Sequence, residues 1–140
     1  MEWYKVCMQK YADFSGRARR SEFWYFFLMN FLIGIVTTII DRTIGTFDPR
    51  TGYGVVNGIY SLAVFIPSLA VGARRLHDIG KSGWLQLIVL IPLVGIIVLI
   101  VFWATEGVRE TNEYGRNPLN PNAGDEEDDG YDMLEHLVDK

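Results

Sequence analysis

WLQLIVLIPLVGIIVLIVFWA, residues 84–104, runs for 21 residues without Asp, Glu, Lys, Arg or His. At ~1.5 Å per residue a helix of that length reaches about 32 Å, close to the ~30 Å hydrocarbon core of a bilayer. Two further blocks of the same kind precede it. VVNGIYSLAVFIPSLAVGA covers 19 residues at 55–73, and FWYFFLMNFLIGIVTTII covers 18 at 23–40. Hydrocarbon offers backbone groups no partners, so each block must close its own hydrogen bonds as a helix. A soluble bundle of helices apolar on every face would leave no polar surface to meet water. The expected fold class is all-α integral membrane, with three transmembrane helices at about 23–40, 55–73 and 84–104.

The edges of the blocks agree. Trp24 and Tyr25 open the first, and Trp84 and Trp103 bracket the third; amphipathic rings favour the headgroup level. Gly34 and Thr38, Gly54 and Gly58, and Ser68 and Gly72 are spaced for close helix approach. Pro67 and Pro92 kink their helices, which a bilayer tolerates when neighbours satisfy the freed carbonyl. No small-residue cleavage site follows the first block before Asp41, so that block reads as a retained helix rather than a signal peptide. A turn at Pro92–Gly95 is the alternative reading of the third block. It would return the chain as a re-entrant hairpin, with arms of eight or nine residues too short to cross. The full span is the expectation.

Charge separates the chain into two parts. Of 13 Lys/Arg and 17 Asp/Glu, residues 123–140 hold eight acids and one base. The membrane domain, 1–122, is left with 12 bases and 9 acids; the acidic tail, 123–140, sets the overall net of −4. A basic body beside apolar blocks suits anionic lipid rather than nucleic acid. Five bases precede the first block, two lie in 41–54, three in 74–83, and Arg109 and Arg116 follow the third block. With three spans and a cytoplasmic N-terminus, eight bases lie inside and four outside, the orientation favoured by the positive-inside rule. The expected location is a membrane, with the N-terminus in the cytoplasm.

Residues 1–14, MEWYKVCMQKYADF, place Trp3, Cys7, Tyr11 and Phe14 near one helical face, which reads as a short N-terminal interfacial helix. Cys7 is the sole cysteine, so no intrachain disulfide is possible, and its apolar setting suits a buried or lipid-facing residue. In the tail, residues 112–122 read as a turn-rich linker and the remainder as a solvated, partly disordered extension. Met133, Leu134, Leu137 and Val138 could line one face of a short helix there, a docking peptide for a basic groove.

Two basic motifs share the cytoplasmic face: Arg17, Arg19 and Arg20 in GRARR, and Arg74, Arg75, His77 and Asp78 in RRLHD, with Lys81 nearby. Guanidinium forks match phosphate geometry, so these residues are candidate contacts for lipid headgroups or a partner. Topology setting and ion pairing with Asp13, Glu22 and Asp78 explain the same arginines without a specific site. His77 and Asp78 alone hint at catalysis, yet neighbours on a helix do not face each other. No phosphate loop, HExxH or nucleophile elbow is present, and neither a catalytic set nor a cofactor or metal is expected.

YADFSGRARRSEFW (11–24), ARRLHDIGKSGWLQL (73–87), IPLVG (91–95) and NEYGRNP (112–118) together resemble the small bacterial inner-membrane proteins grouped as domain of unknown function 805, the YhaH/YhaI type. The resemblance implies a polytopic inner-membrane protein without an established activity. It supplies no catalytic residues, and it does not cover the acidic extension. The expected role is a non-enzymatic scaffold, an assembly subunit or a lipid-interface protein, with possible partners in anionic phospholipid, a second copy or another membrane protein. The alternatives are a small oligomeric transporter or channel for a non-ionic solute, which the lack of ionisable groups within the spans permits, and a lipid-modifying enzyme using His77 and Asp78.

Overall fold

The computed structural model describes residues 2–122, with side chains from residue 4. The acidic tail, including the helix-like pattern at Met133–Val138, lies outside the described residues. In chain order the elements are α1 (Glu2–Gln9), α2 (Arg20–Ile44), α3 (Val55–Asp78), a 3-10 segment η1 (Gly83–Leu90) and α4 (Val94–Ala104). The described residues form no strand beyond two isolated bridges.

Helices α2 and α3, at 25 and 24 residues, are long and apolar enough to cross a membrane. Only 17% and 28% of their most apolar windows are buried, so their greasy faces point outward, unlike those of a soluble core helix. Leu62 is 76% exposed and Phe31 60%.

The chain forms two compact units. The first comprises residues up to 14 together with 21–72. Polar rungs join α2 to α3 within it. The Asn57 side-chain amide donates to the Gly34 carbonyl at 3.2 Å and to the Thr37 and Thr38 hydroxyls at 3.0 and 3.1 Å. The Tyr60 hydroxyl donates to Asn30 Oδ1 at 2.5 Å. At the far end, Asp41 is fully buried and turns back on the next helix. Its carboxylate accepts the backbone N–H groups of Val56 and Asn57 at 2.9 and 2.8 Å, and the Thr46 hydroxyl at 2.5 Å. Those two N–H groups belong to the first turn of α3, where no intrahelical acceptor exists. Asp41 therefore caps a helix that starts 14 residues downstream, with its negative charge at the positive end of the dipole.

α1, expected as a short interfacial helix, makes contacts with α2 and α3. Cys7 is fully buried with Sγ 3.5 Å from the Glu22 carboxylate, and the Tyr4 ring stacks on Phe26 at 5.5 Å. The Tyr11 hydroxyl donates to the Ala63 carbonyl at 2.6 Å. Ala63 lies four residues before Pro67, which has no N–H to offer it. Tyr11 thus supplies the donor that the proline removed. Tyr11→Phe is expected to cost about 1–3 kcal/mol, the desolvation penalty of an unsatisfied carbonyl. Thermal unfolding in detergent measures it, and an unchanged midpoint would contradict this role.

The second unit comprises, among the described residues, 15–20 together with 73–122. Here the third apolar block departs from expectation, because it is not one helix. η1 ends at Leu90, Ile91 is extended at φ −85°, ψ 106°, and α4 begins only at Val94. Pro92 accounts for the break: it disfavours helical backbone at the preceding residue and offers no N–H of its own. Leu93 then takes φ +63°, ψ −60°, and the Val94 N–H donates to the Pro92 carbonyl at 2.8 Å, a γ-turn of the rare, strained hand. Gly95 completes the reversal, since a Cβ there would overlap the Ile88 carbonyl. η1 and α4 pack against each other as the two arms of a hairpin. Both ends of the hairpin lie at the last turns of α3. Gly83 is so close that an added Cβ would stand 2.8 Å from the Ala73 Cβ. At the other end, Arg75 holds the carbonyls of Trp103 and Thr105.

Candidate functional site

The arginine motifs meet in the second unit. Gly16, at φ +77°, turns the chain into the extended segment 17–19. The Ala18 N–H donates to the Arg74 carbonyl at 3.0 Å, laying GRARR alongside the end of α3. Arg17 then points inward. Its Nε donates to Asp78 Oδ1 at 2.9 Å and its Nη2 to the Asp78 carbonyl at 3.2 Å. The remaining donors reach the carbonyls of Val108, Glu110 and Gly115.

Arg75 approaches the same carboxylate from the other side. Its Nη1 pairs with Asp78 Oδ2, one helical turn away. Nε donates to the Trp103 carbonyl at 3.0 Å and Nη2 to the Thr105 carbonyl. The last carbonyls of a helix have no intrahelical donor, so Arg75 caps α4 while it neutralises Asp78. The side chains of Arg17, Arg75 and Asp78 are 1%, 0% and 6% exposed. Buried charges persist only when paired and hydrogen-bonded, and this triad meets both conditions. Gly107 packs directly on the Asp78 carboxylate, where a Cβ would collide with it.

His77 and Asp78 serve different neighbours. The His77 ring lies parallel to Tyr114, with centroids 3.9 Å apart. Its Nδ1 is 3.1 Å from the Gly16 carbonyl, which can only accept, so Nδ1 carries the proton. Asn112 donates to the His77 carbonyl at 2.8 Å. Desolvation, and then the nearby Glu113, raise the Tyr114 phenol above its ordinary value, so it stays protonated at physiological pH.

Of the eight residues singled out in the sequence, Arg17, Arg74, Arg75 and Asp78 are buried and His77 is half-buried. Arg19 is half-buried and donates to the Pro118 carbonyl. Arg20 and Lys81 are exposed. The sequence reading missed Gly107, Val108 and Glu110. Only the NEYG string at 112–115 signalled that this segment matters. Among the described residues, no group of three or more His, Cys, Asp or Glu side chains is arranged to hold a metal.

Comparison with known proteins bears on the same segments. The family model described as "Protein of unknown function (DUF805)" matches residues 11–116. The inner membrane protein YhaI of Escherichia coli K12 is 41% identical over 118 residues, 84% of this chain and 96% of that protein. The inner membrane protein YhaH of the same strain is 39% identical over 118 residues, 84% of this chain and 97% of that protein. No solved structure matches. The matched range takes in every residue of the Arg17–Asp78–Arg75 triad and its carbonyl partners, and the chain belongs to the DUF805 family.

Proposed function

We propose that this protein is a non-enzymatic inner-membrane scaffold or assembly subunit, with two crossing helices and a re-entrant hairpin. α2 and α3 cross, while η1 and α4 enter and leave the bilayer from the cytoplasmic face. The N-terminus and the segment after α4 share that face. Three considerations support this topology. α4 has 11 residues and reaches about 16 Å, half the hydrocarbon thickness. Both ends of the hairpin are tied to the end of α3. Ten of the 12 bases in residues 1–122 then lie on the cytoplasmic side and two outside, a stronger bias than three spans provide. The relatives named inner membrane proteins favour the same location.

The observation that carries the scaffold reading is the triad itself. The family motif's buried charges hold each other and five backbone carbonyls, so they organise the cytoplasmic end. Arg17, Arg74, Arg75, His77 and Asp78 act within the fold. Exposed Arg20 and Lys81, together with half-buried Arg19, one of whose donors is held by the Pro118 carbonyl, are the cations we assign to anionic phospholipid, with the exposed Trp84 at headgroup level. Protein purified in mild detergent is expected to retain anionic phospholipid from the membrane. The combined variant Arg19→Gln, Arg20→Gln, Lys81→Gln is expected to retain several-fold less, by mass spectrometry of bound lipid. Equal retention would contradict the lipid-interface role.

A further inference from the structure

A groove of about 650 Å³ runs along the first unit between α2 and the start of α3. Its wall is the ridge Phe31, Ile35 and Ile39, its floor includes Gly34 and Asn57, and Arg42 stands at one end. We propose that this groove holds one acyl chain of an anionic phospholipid from the leaflet at the C-terminal end of α2, with Arg42 on its phosphate.

Three features of the groove identify the occupant. The first is length. Phe31 falls at the middle of the 23–40 apolar block and Arg42 just beyond its end. The 11 residue steps from one to the other span about 16 Å along the helix, against ~15 Å for one leaflet of hydrocarbon. The groove is therefore one leaflet deep, from midplane to headgroup level. The second is polarity. The ridge is apolar and about half exposed, with Ile35 at 45%, Ile39 at 58% and Phe31 at 60%. The polar groups of the floor already bond one another, since Asn57 donates to Gly34, Thr37 and Thr38. Such a surface takes hydrocarbon without leaving a polar atom unsatisfied. The third is charge. The Arg42 guanidinium lies 4.5 Å from the centre of the Phe47 ring. That cation–π contact holds the guanidinium at the end of the groove, and a guanidinium fork matches phosphate geometry.

The site is separate from the Arg19, Arg20 and Lys81 face and lies at the opposite end of α2, so each can fail alone. Gly34 makes a clean probe. A Cβ added there meets nothing within 4 Å, so Gly34→Leu starts its side chain in open space at the groove. The test is native mass spectrometry of the full chain in detergent, titrated with phosphatidylglycerol and separately with phosphatidylcholine. Wild type is expected to bind one phosphatidylglycerol that Arg20→Gln, Lys81→Gln does not remove. Arg42→Gln is expected to weaken that binding about tenfold and to erase the preference over phosphatidylcholine, the effect of one charge-assisted pair. In the Arg20→Gln, Lys81→Gln background, Gly34→Leu is expected to abolish the remaining binding of both lipids at an unchanged unfolding temperature. Undiminished binding in Gly34→Leu or in Arg42→Gln overturns the proposal. So does a wild-type dimer that Gly34→Leu converts to monomer, which would make a second copy the occupant.

Discussion

Asp78→Ala is expected to remove most of the folded protein from a detergent extract. Two guanidiniums, each no more than 1% exposed, would lose their shared counter-charge. Removing one partner of a buried ion pair costs about 3–5 kcal/mol, against a total stability of about 5–15 kcal/mol for a domain. Both remaining arginines still hold backbone carbonyls, so the loss is not relieved by their swinging out to solvent. Asp78→Asn keeps the shape and one acceptor oxygen, and is expected to fall between Ala and wild type. Size-exclusion chromatography after stepwise heating reads the series. An Asp78→Ala protein that elutes and melts like wild type would show that the triad does not hold the second unit together.

Asp41→Ala carries the next largest expected effect, about 3 kcal/mol, and acts on the first unit. It removes a helix cap, usually worth ~0.5–2 kcal/mol, in which the acceptor is charged and buried, and hydrogen bonds to charged groups contribute ~1.5–3 kcal/mol. Val56 and Asn57 lose their acceptor, and Thr46 loses the oxygen that holds the turn after α2. Asp48→Ala, at an exposed aspartate in the loop that follows α2, is the control and is expected to cost under about 1 kcal/mol. The buried Cys7 gives a direct readout, because a thiol-reactive dye labels it only once α1 leaves α2. Equal labelling temperatures for Asp41→Ala and Asp48→Ala would contradict the capping role.

The two long helices were legible because nothing interrupts their apolar runs: 23–40 lies within α2, and 55–73 lies within α3. The block at 84–104 looks the same by composition and folds differently. What separates it is backbone chemistry, Pro92 stopping one arm and Gly95 letting the other approach Ile88, together with a tie from Arg75 to Trp103 across 28 positions. Hydropathy measures partition and is blind to both.

The site was legible as a set of residues, with ion pairing to Asp78 as one of the two readings the sequence offered. A sequence shows that Arg17, Arg74 and Arg75 are charged, and charge alone suggests the surface. Only the fold reveals that Asp78 sits between two of them and that carbonyls from 103 to 115 complete their coordination. Asp41 was overlooked for a related reason. At the end of an apolar block it reads as a boundary, whereas its work is done on a helix 14 residues away.

The most direct test of the account is the side on which the segment after α4 emerges. In a Cys7→Ala background, Glu110→Cys places one exposed thiol just past the hairpin, and Thr51→Cys places one in the exposed loop between α2 and α3. A membrane-impermeant maleimide applied to intact spheroplasts is expected to label Thr51→Cys at once and Glu110→Cys only after lysis. Labelling of both in intact spheroplasts would mean that the third block crosses the membrane, and the clamped re-entrant hairpin would be wrong.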